Sequence, residues 1–482
     1  MIVLYVILAI IAVIVVLLLI ALIKTLATPA KVSEFVPTPQ PEREQIYAEK
    51  LSKMVQYETE SVRGEDQREK FLGFHKVLEE LFPNVHATME KTEIDGNLLF
   101  KWKGLSDEKP IVLMGHQDVV PAEGEWDRDP YSGEISEGRV WGRGSADTKC
   151  SVMSFFQACE ELIAEGYTPQ YDIYLSSSCT EEIGGDGCPK IVDELERRGV
   201  KPWLVCDEGG AIVEEPLAGC KGSYAMIGVV EKGYGDLEFI ARSNGGHSSY
   251  PPKNSPIARL SKFVVDIEKH DPMKSEFLPQ TEVMFAQVAP YGPFYYRYLF
   301  GNFWLFKPLL KKLLPAISPQ AGALLKTTVA FTMQSGSEGY NVLPQEAKVV
   351  ANLRFSPLQD MDESIAIMKG IADKYDIETR VIKAYKSCRP VDMSNEAFKY
   401  VEDVVNEVFP GLPAVPYVMT GGTDAKFYDR ICPACIRFSP VLYGPDQMKG
   451  MHGLNECIDT VSLPGAVDYY KTIICNVKKN QG

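Results

Sequence analysis

The stretch PIVLMGHQDVVPA, residues 110–122, decides the fold. Residues 111–114 form a short unbroken apolar run, the pattern of a strand buried on both faces of a sheet. The run stops at Gly115. His116 and Asp118 follow at the strand's C-terminal end, where open α/β sheets present their ligand-binding groups. Two further apolar runs, 171–176 and 203–206, have the same character, and helical patterns at 151–165 and 189–198 separate the three. Strand-helix-strand alternation of this kind predicts an α/β domain with a mainly parallel sheet and helices on both faces.

The pattern changes near Lys232. Residues 236–242 and 349–354 read as strands, while 255–269 and 361–375 read as helices, so a smaller α+β unit is inserted. The α/β character returns after residue 386, with helical patterns at 395–409 and 463–478. The expected organisation is an anchor at 1–24, a linker at 25–44, a catalytic domain in two pieces (45–231 and 385–482), and the inserted domain at 232–384.

Composition sets outer bounds. The chain has 482 residues, 45% of them hydrophobic, which is ample for a buried core. Lys plus Arg is 50 against 65 Asp plus Glu, a net charge of −15, which excludes a general nucleic-acid binder. Residues 2–23 carry no charge and are almost wholly aliphatic, long enough as a helix to cross a bilayer. This reads as an uncleaved anchor, since a signal peptide has a basic leader and a shorter apolar run. Lys24, Lys31 and Arg43 follow it and no basic residue precedes it, so the positive-inside rule places the body on the cytoplasmic side. An odd count of 11 cysteines and the absence of any N-x-Ser/Thr sequon agree with that side, while a lumenal or extracellular body stays open. The lone Cys432-Pro-Ala-Cys435 reads as structural. An aromatic stretch with three lysines, residues 291–314, falls in the inserted unit and reads either as core or as an apolar lip for greasy substrates or a bilayer surface.

Four more motifs join GHQD. They are GRGSADTK around Asp147, TEEIGGDG around Glu181 and Glu182, DEGG at Asp207-Glu208, and MHGLNE around His452. Each sets His, Asp or Glu beside glycine. Two histidines with several carboxylates suit zinc in a hydrolytic site, with cobalt and manganese also compatible. Adjacent glutamates permit a division of labour, one holding metal and the other moving a proton.

In this order the motifs resemble the dizinc metallopeptidase family of glutamate carboxypeptidase, aminoacylase, succinyl-diaminopimelate desuccinylase and carnosinase. EKGYGDLEF, FGNFWLFKPLL and GGTDAKFY further resemble its branch of carboxypeptidase S and N-fatty-acyl-amino acid hydrolases. The resemblance implies a zinc-exopeptidase-like catalytic domain with an inserted lid and dimerisation domain, two Zn²⁺ ions per subunit, and a homodimer. It implies that His116 and Asp207 hold the first zinc, with Glu208 the alternative to Asp207. It implies that Glu182 and His452 hold the second zinc and that Asp147 bridges the two. Glu181 resembles the general base and Asp118 the partner that orients His116. His247 resembles a residue that crosses to the partner subunit's site to stabilise an oxyanion. Asn341 and Arg354 resemble the pair that grips a substrate carboxylate, and Gly421 and Gly422 a turn lining the pocket. Thr148 departs from the acidic residue that many relatives carry after the bridging aspartate.

The implied activity is cleavage of a peptide or N-acyl amide bond next to a free carboxylate, by a carboxypeptidase or an N-acyl-amino acid hydrolase. A catalytically inactive, membrane-tethered binding protein on the same fold is the alternative from another class.

Overall fold

Asp95 and Gly96, both at positive φ (50° and 88°), make a two-residue turn that pairs strand Glu90–Ile94 antiparallel with Asn97–Trp102. An Asp-Gly turn is a strong hairpin signal, because its backbone twist matches that of the flanking strands. This hairpin opens an eight-stranded sheet. Its order is Glu90–Ile94, Asn97–Trp102, Tyr171–Ser177, Ser106–Met114, Leu204–Glu214, Cys435–Tyr443, Ser223–Glu231, Ala414–Met419. The chain is described here from a computed structural model covering residues 2–477. Met1 and residues 478–482, including the expected helix end at Lys478, lie outside the described residues.

The three strands expected from the apolar runs do pair parallel: Ser106–Met114 lies between Tyr171–Ser177 and Leu204–Glu214. The sheet as a whole is mixed, which corrects the expectation of a mainly parallel one. The N-terminal hairpin joins antiparallel, and Ser223–Glu231 turns back antiparallel on Leu204–Glu214. Short turns, unlike helical crossovers, can only connect antiparallel neighbours.

Between Gly233 and Tyr385 lies a separate four-stranded antiparallel sheet. Its order is Thr328–Ser335, Glu346–Phe355, Gly233–Arg242, Glu378–Tyr385. Helices Pro256–Lys269 and Met361–Asp373 pack on it around Leu237, Phe239, Phe263, Leu353 and Met368, apart from the main core.

The aromatic stretch expected within that unit goes elsewhere. Helices Pro279–Val288, Phe294–Phe300 and Phe303–Ile317 pack Phe277, Phe285, Phe300 and Leu310 against Tyr224, Met226 and Val415 of the large sheet. Ala21 of helix Ile2–Ala27 joins the same cluster. The segment expected as a linker, 25–44, also lies along the body. The Lys31 amide donates to the Pro290 carbonyl at 2.8 Å and the Ser33 hydroxyl to the Ser223 carbonyl at 2.6 Å. Phe35 meets Phe409 edge-on, with ring centres 5.7 Å apart.

Candidate active site

Three neighbouring strands bring the acids and one histidine together. His116 follows Ser106–Met114, Glu181 and Glu182 follow Tyr171–Ser177, and Glu208 sits within Leu204–Glu214. Asp147 arrives on the turn before helix Lys149–Ala164, and His452 on the turn after helix Pro445–Gly450. Gly144 makes the Asp147 turn feasible. Its φ is +84°, and a Cβ there would stand 2.6 Å from Val119 Cγ1.

Asp147 is the centre. One of its oxygens lies 3.1 Å from His116 Nε2 and the other 2.9 Å from His452 Nε2. His452 Nε2 is also 3.2 Å from Glu182 Oε2, and His116 Nε2 is 3.9 Å from Glu208 Oε1. Two triads result, His116–Asp147–Glu208 and Asp147–Glu182–His452, each with candidate ligand atoms within 4.8 Å of one another.

Asp207 is not in either triad, contrary to the expectation that put it with His116. Successive residues of a strand point to opposite faces. The Asp207 carboxylate turns away and accepts the amides of Ala425 (2.8 Å) and Glu208 (2.9 Å). Glu208 is the acid that faces the histidine.

The His116 ring is oriented by a backbone group. Its Nδ1 lies 2.8 Å from the Asp118 carbonyl, so Nδ1–H donates there and Nε2 is left facing Asp147. The Asp118 carboxylate is further off, at 3.6 Å. It accepts from the Ser61 hydroxyl (2.7 Å) and from the amides of Glu181 and Glu182 (both 3.1 Å). Its work is to shape the Glu181-Glu182 turn.

The electrostatics are those of a site built for cations. Four carboxylates, Asp147, Glu181, Glu182 and Glu208, crowd two histidines. Burial raises Glu181 and Glu208 well above the carboxylate range, with Asp424 and Asp147 respectively adding to the rise. Burial alone would raise Asp147 too, but hydrogen bonds from His116 and His452 outweigh it and hold Asp147 low. Hydrogen bonds to Asp147 and Glu182 push His452 up to about 10. Glu182 Oε1 is buried without a hydrogen-bond partner. Surplus negative charge and an orphaned carboxylate oxygen fit two divalent metal ions sharing Asp147.

Other expected site residues lie apart. His247 and Asn341 stand exposed on a short two-stranded ribbon, Gly246–His247 with Val342–Leu343. Neither has a contact to the two triads among the described residues. The Arg354 guanidinium stacks over the Tyr234 ring at 4.8 Å, and Tyr234 stacks on Tyr385 at 5.5 Å. Gly422 lies against that group: a Cβ there would approach Glu231 Oε1 to 3.1 Å and the Tyr385 hydroxyl to 3.6 Å. Gly421 faces open space.

Four supporting residues were not assigned from sequence. Glu456 accepts the amides of Gly144, Ala146 and Asp147 at 2.9–3.0 Å and pairs with Arg143 at 2.7 Å, so it cradles the turn that presents Asp147. Its position four residues after His452 in MHGLNE was the available signal. Asp424 accepts the Ser178 hydroxyl and is raised by burial to about 7. Glu231 accepts the Thr423 amide at 2.8 Å and pairs with the buried Arg437 at 3.1 Å, which fixes the turn carrying Gly421 and Gly422. Lys149 donates to the Met54 and Tyr57 carbonyls at 3.0 and 2.9 Å.

A cavity of about 630 Å³ adjoins the triads at Glu208. Leu217, Met226, Met284, Phe285, Val288 and Leu324 line it.

The profile of the peptidase family M20/M25/M40 matches residues 112–476. This chain belongs to that family. The resemblance of the five motifs to a metallopeptidase family is therefore borne out. A probable carboxypeptidase S-like protein of Dictyostelium discoideum is 31% identical over 446 residues, covering 90% of this chain and 85% of that protein. The N-fatty-acyl-amino acid synthase/hydrolase of Homo sapiens is 32% identical over 418 residues, covering 85% and 83%. Among solved structures, the M20 metallo-carboxypeptidase of Sulfolobus solfataricus has a TM-score of 0.68 at 17% identity, covering 89% of this chain and 98% of that one. A dinuclear metal-binding M20 peptidase of Bacillus subtilis has a TM-score of 0.55 at 13% identity, covering 89% and 98%. These likenesses establish the M20 fold.

Proposed function

We propose that this M20 chain is a metal-dependent amidohydrolase that cleaves N-acyl amino acids bearing a long apolar acyl chain. The observation that carries this reading is the apolar cavity that begins at Glu208. An amide carbonyl beside the triads would leave its acyl chain in that cavity, where each buried methylene contributes about 0.8 kcal/mol. The synthase/hydrolase relatives, which are named for N-fatty-acyl-amino acids, support the same reading. Peptide cleavage is the second reading, supported by the relatives named carboxypeptidase S.

His116, Asp147 and Glu208 would hold one metal ion, and Asp147, Glu182 and His452 the other. Zn²⁺ suits this donor set, with Co²⁺ and Mn²⁺ as alternatives. Bound there, the two ions acidify water and polarise the scissile carbonyl. Glu181 takes a proton from the attacking water and returns it to the leaving amine. Burial raises its basicity, which favours taking the proton. Arg354 grips the free carboxylate of the amino acid, preoriented by its stack on Tyr234. His247, exposed on its short ribbon, serves the partner subunit of a homodimer as oxyanion donor. The complete donor set favours catalysis over an inactive binding protein. Helix Ile2–Ala27 anchors the chain in a membrane, with the body on the cytoplasmic side by the flanking charges.

The test is a panel of N-acyl amino acids against dipeptides with metal-loaded protein. Faster turnover of long-chain than of N-acetyl substrates is expected, and turnover of dipeptides alone would overturn the acyl reading.

A further inference from the structure

Helix Phe303–Ile317 is apolar on both sides. Phe306, Leu310 and Leu314 face the protein's own core. Four residues apart on the other side, Leu309, Leu313 and Ile317 are 52%, 37% and 65% exposed. Trp304 on this helix and Phe294 and Tyr295 on helix Phe294–Phe300 are about half exposed as well. A contiguous exposed face of large apolar side chains marks an interaction or membrane surface.

Helix Phe294–Phe300 and the turn that joins it to Phe303–Ile317 grip the end of this apolar N-terminal helix. The Tyr298 hydroxyl donates to the Leu18 carbonyl at 3.1 Å. Asn302 Nδ2 donates to the Ala21 carbonyl (3.3 Å) and the Thr25 hydroxyl (3.0 Å). Arg297 donates to the Thr25 carbonyl at 3.1 Å, and Lys24 to the Gly301 carbonyl at 3.2 Å. Ala21 and Thr25 are buried in this joint, while the residues before Leu18 are nearly all exposed.

Position along the apolar run decides depth. The clamp begins at Leu18, inside the uncharged run of residues 2–23. The last apolar residues of the span therefore lie alongside the clamp, so helix Phe294–Phe300 and the start of Phe303–Ile317 reach the lipid interface with it.

Charge agrees. Between Glu282 and Glu338 the chain has no acidic residue and five basic ones, in a protein of net charge −15. Lys307 and Lys311 pair with Glu282 and Glu276. Lys312, beside Leu313 on the outer side, is exposed and carries no ion pair among the described residues. Aromatic residues with lysines are the usual makeup of an interfacial helix.

We infer that the outer face of helices Phe294–Phe300 and Phe303–Ile317 is a second membrane contact, set into the lipid interface beside the anchor. Residues 318–324, which follow Ile317 directly, form one wall of the apolar cavity. The contact therefore places that wall at the bilayer surface, where an acyl chain passes from lipid into the cavity. This rests on the anchor reading of helix Ile2–Ala27 and on the N-acyl reading of the cavity.

The test uses the full chain in phosphatidylcholine vesicles with one-fifth phosphatidylserine, some carrying lipids brominated near the headgroup. Trp304 is the only one of five tryptophans on these helices. Bromine is expected to quench a fraction of the emission that Trp304→Phe removes. An unchanged quenched fraction in Trp304→Phe would overturn the inference. So would a Trp304 shielded from aqueous acrylamide yet unquenched by bromine, since protein, such as a second copy, would then cover the face. Release by carbonate washing, with Trp304 quenching retained, would remove the anchor and keep the contact. The variant Leu309→Glu/Leu313→Glu/Ile317→Glu should stay vesicle-bound and turn over a soluble N-acetyl amino acid within two-fold of wild type. It should lose at least ten-fold on a long-chain N-acyl amino acid carried in the vesicles. Equal turnover of the vesicle-borne substrate would overturn the role in delivery. Absence of all N-acyl turnover in the wild type would defeat the functional reading and leave the quenching result standing.

Discussion

Glu208 stands between two unlike regions. On one side lie the triads, where buried acids and histidines are held by short polar contacts to Asp147. On the other lies the cavity, walled by methionine, phenylalanine and leucine. The polar region comes from turns at strand ends, where a few residues in a motif set both position and chemistry. The apolar region comes from helices packed against a sheet edge, and no motif marks it. A reaction centre needs particular atoms at particular places, whereas a chain-binding cavity needs volume and low polarity, which many sequences supply.

The largest effect that would break this division is at Glu181. Glu181→Gln should lower amide turnover by about 10²–10⁴-fold, the usual worth of a general base, while metal content stays at the wild-type level. Substantial residual turnover would remove its proposed role. Next, Glu208→Gln should lose bound metal, while Asp207→Asn should keep it and lower thermal stability instead, since Asp207 accepts two backbone amides. Metal analysis of the two proteins side by side decides between them. Glu456→Gln should weaken metal binding by about 10–100-fold, as expected when a ligand's support is loosened. Titration with a competing chelator reads this.

On the apolar side, Leu324→Trp should lower the preference for long over short acyl chains by roughly four-fold for each methylene excluded. An unchanged chain-length profile would move the acyl chain out of the cavity.

The smallest effect is on stability against pH. His75 is buried, with Nε2 donating to the Gly96 carbonyl (3.1 Å) and Gln117 Oε1 (3.0 Å) and Nδ1 unpartnered. Burial lowers its pKa to about 4, from an ordinary value of 6.5. Between these values the unfolded chain binds the proton and the folded chain does not, so His75 contributes stability above pH 6.5 that is lost as pH falls toward 4. Melting curves at pH 7 and pH 5 should show a smaller drop for His75→Gln than for wild type.

Much of the polar region was legible in the sequence. His116, Asp147, Glu182 and His452 all stand in glycine-flanked motifs, and the structure gathers the other three around Asp147. The parallel strands that carry His116 and the glutamate pair were read from their apolar runs. The Asp95-Gly96 hairpin has a short local turn signal, but nothing local says that it will join the edge of the large sheet. Asp207 and Glu208 could not be told apart by composition, since both are acids at one strand end. The helices of residues 279–317 were legible as apolar, but not as a cover for the large sheet.

By itself the sequence determined the long apolar N-terminal helix, the α/β alternation and the donor types of the site. Local periodicity and side-chain chemistry suffice for these. Tertiary structure alone decided that Glu208 faces His116, that Glu456 cradles the Asp147 turn, and that the end of the apolar N-terminal helix is clamped beside an apolar cavity. Each of these depends on strand pleat or on packing between segments hundreds of residues apart, which no local pattern encodes.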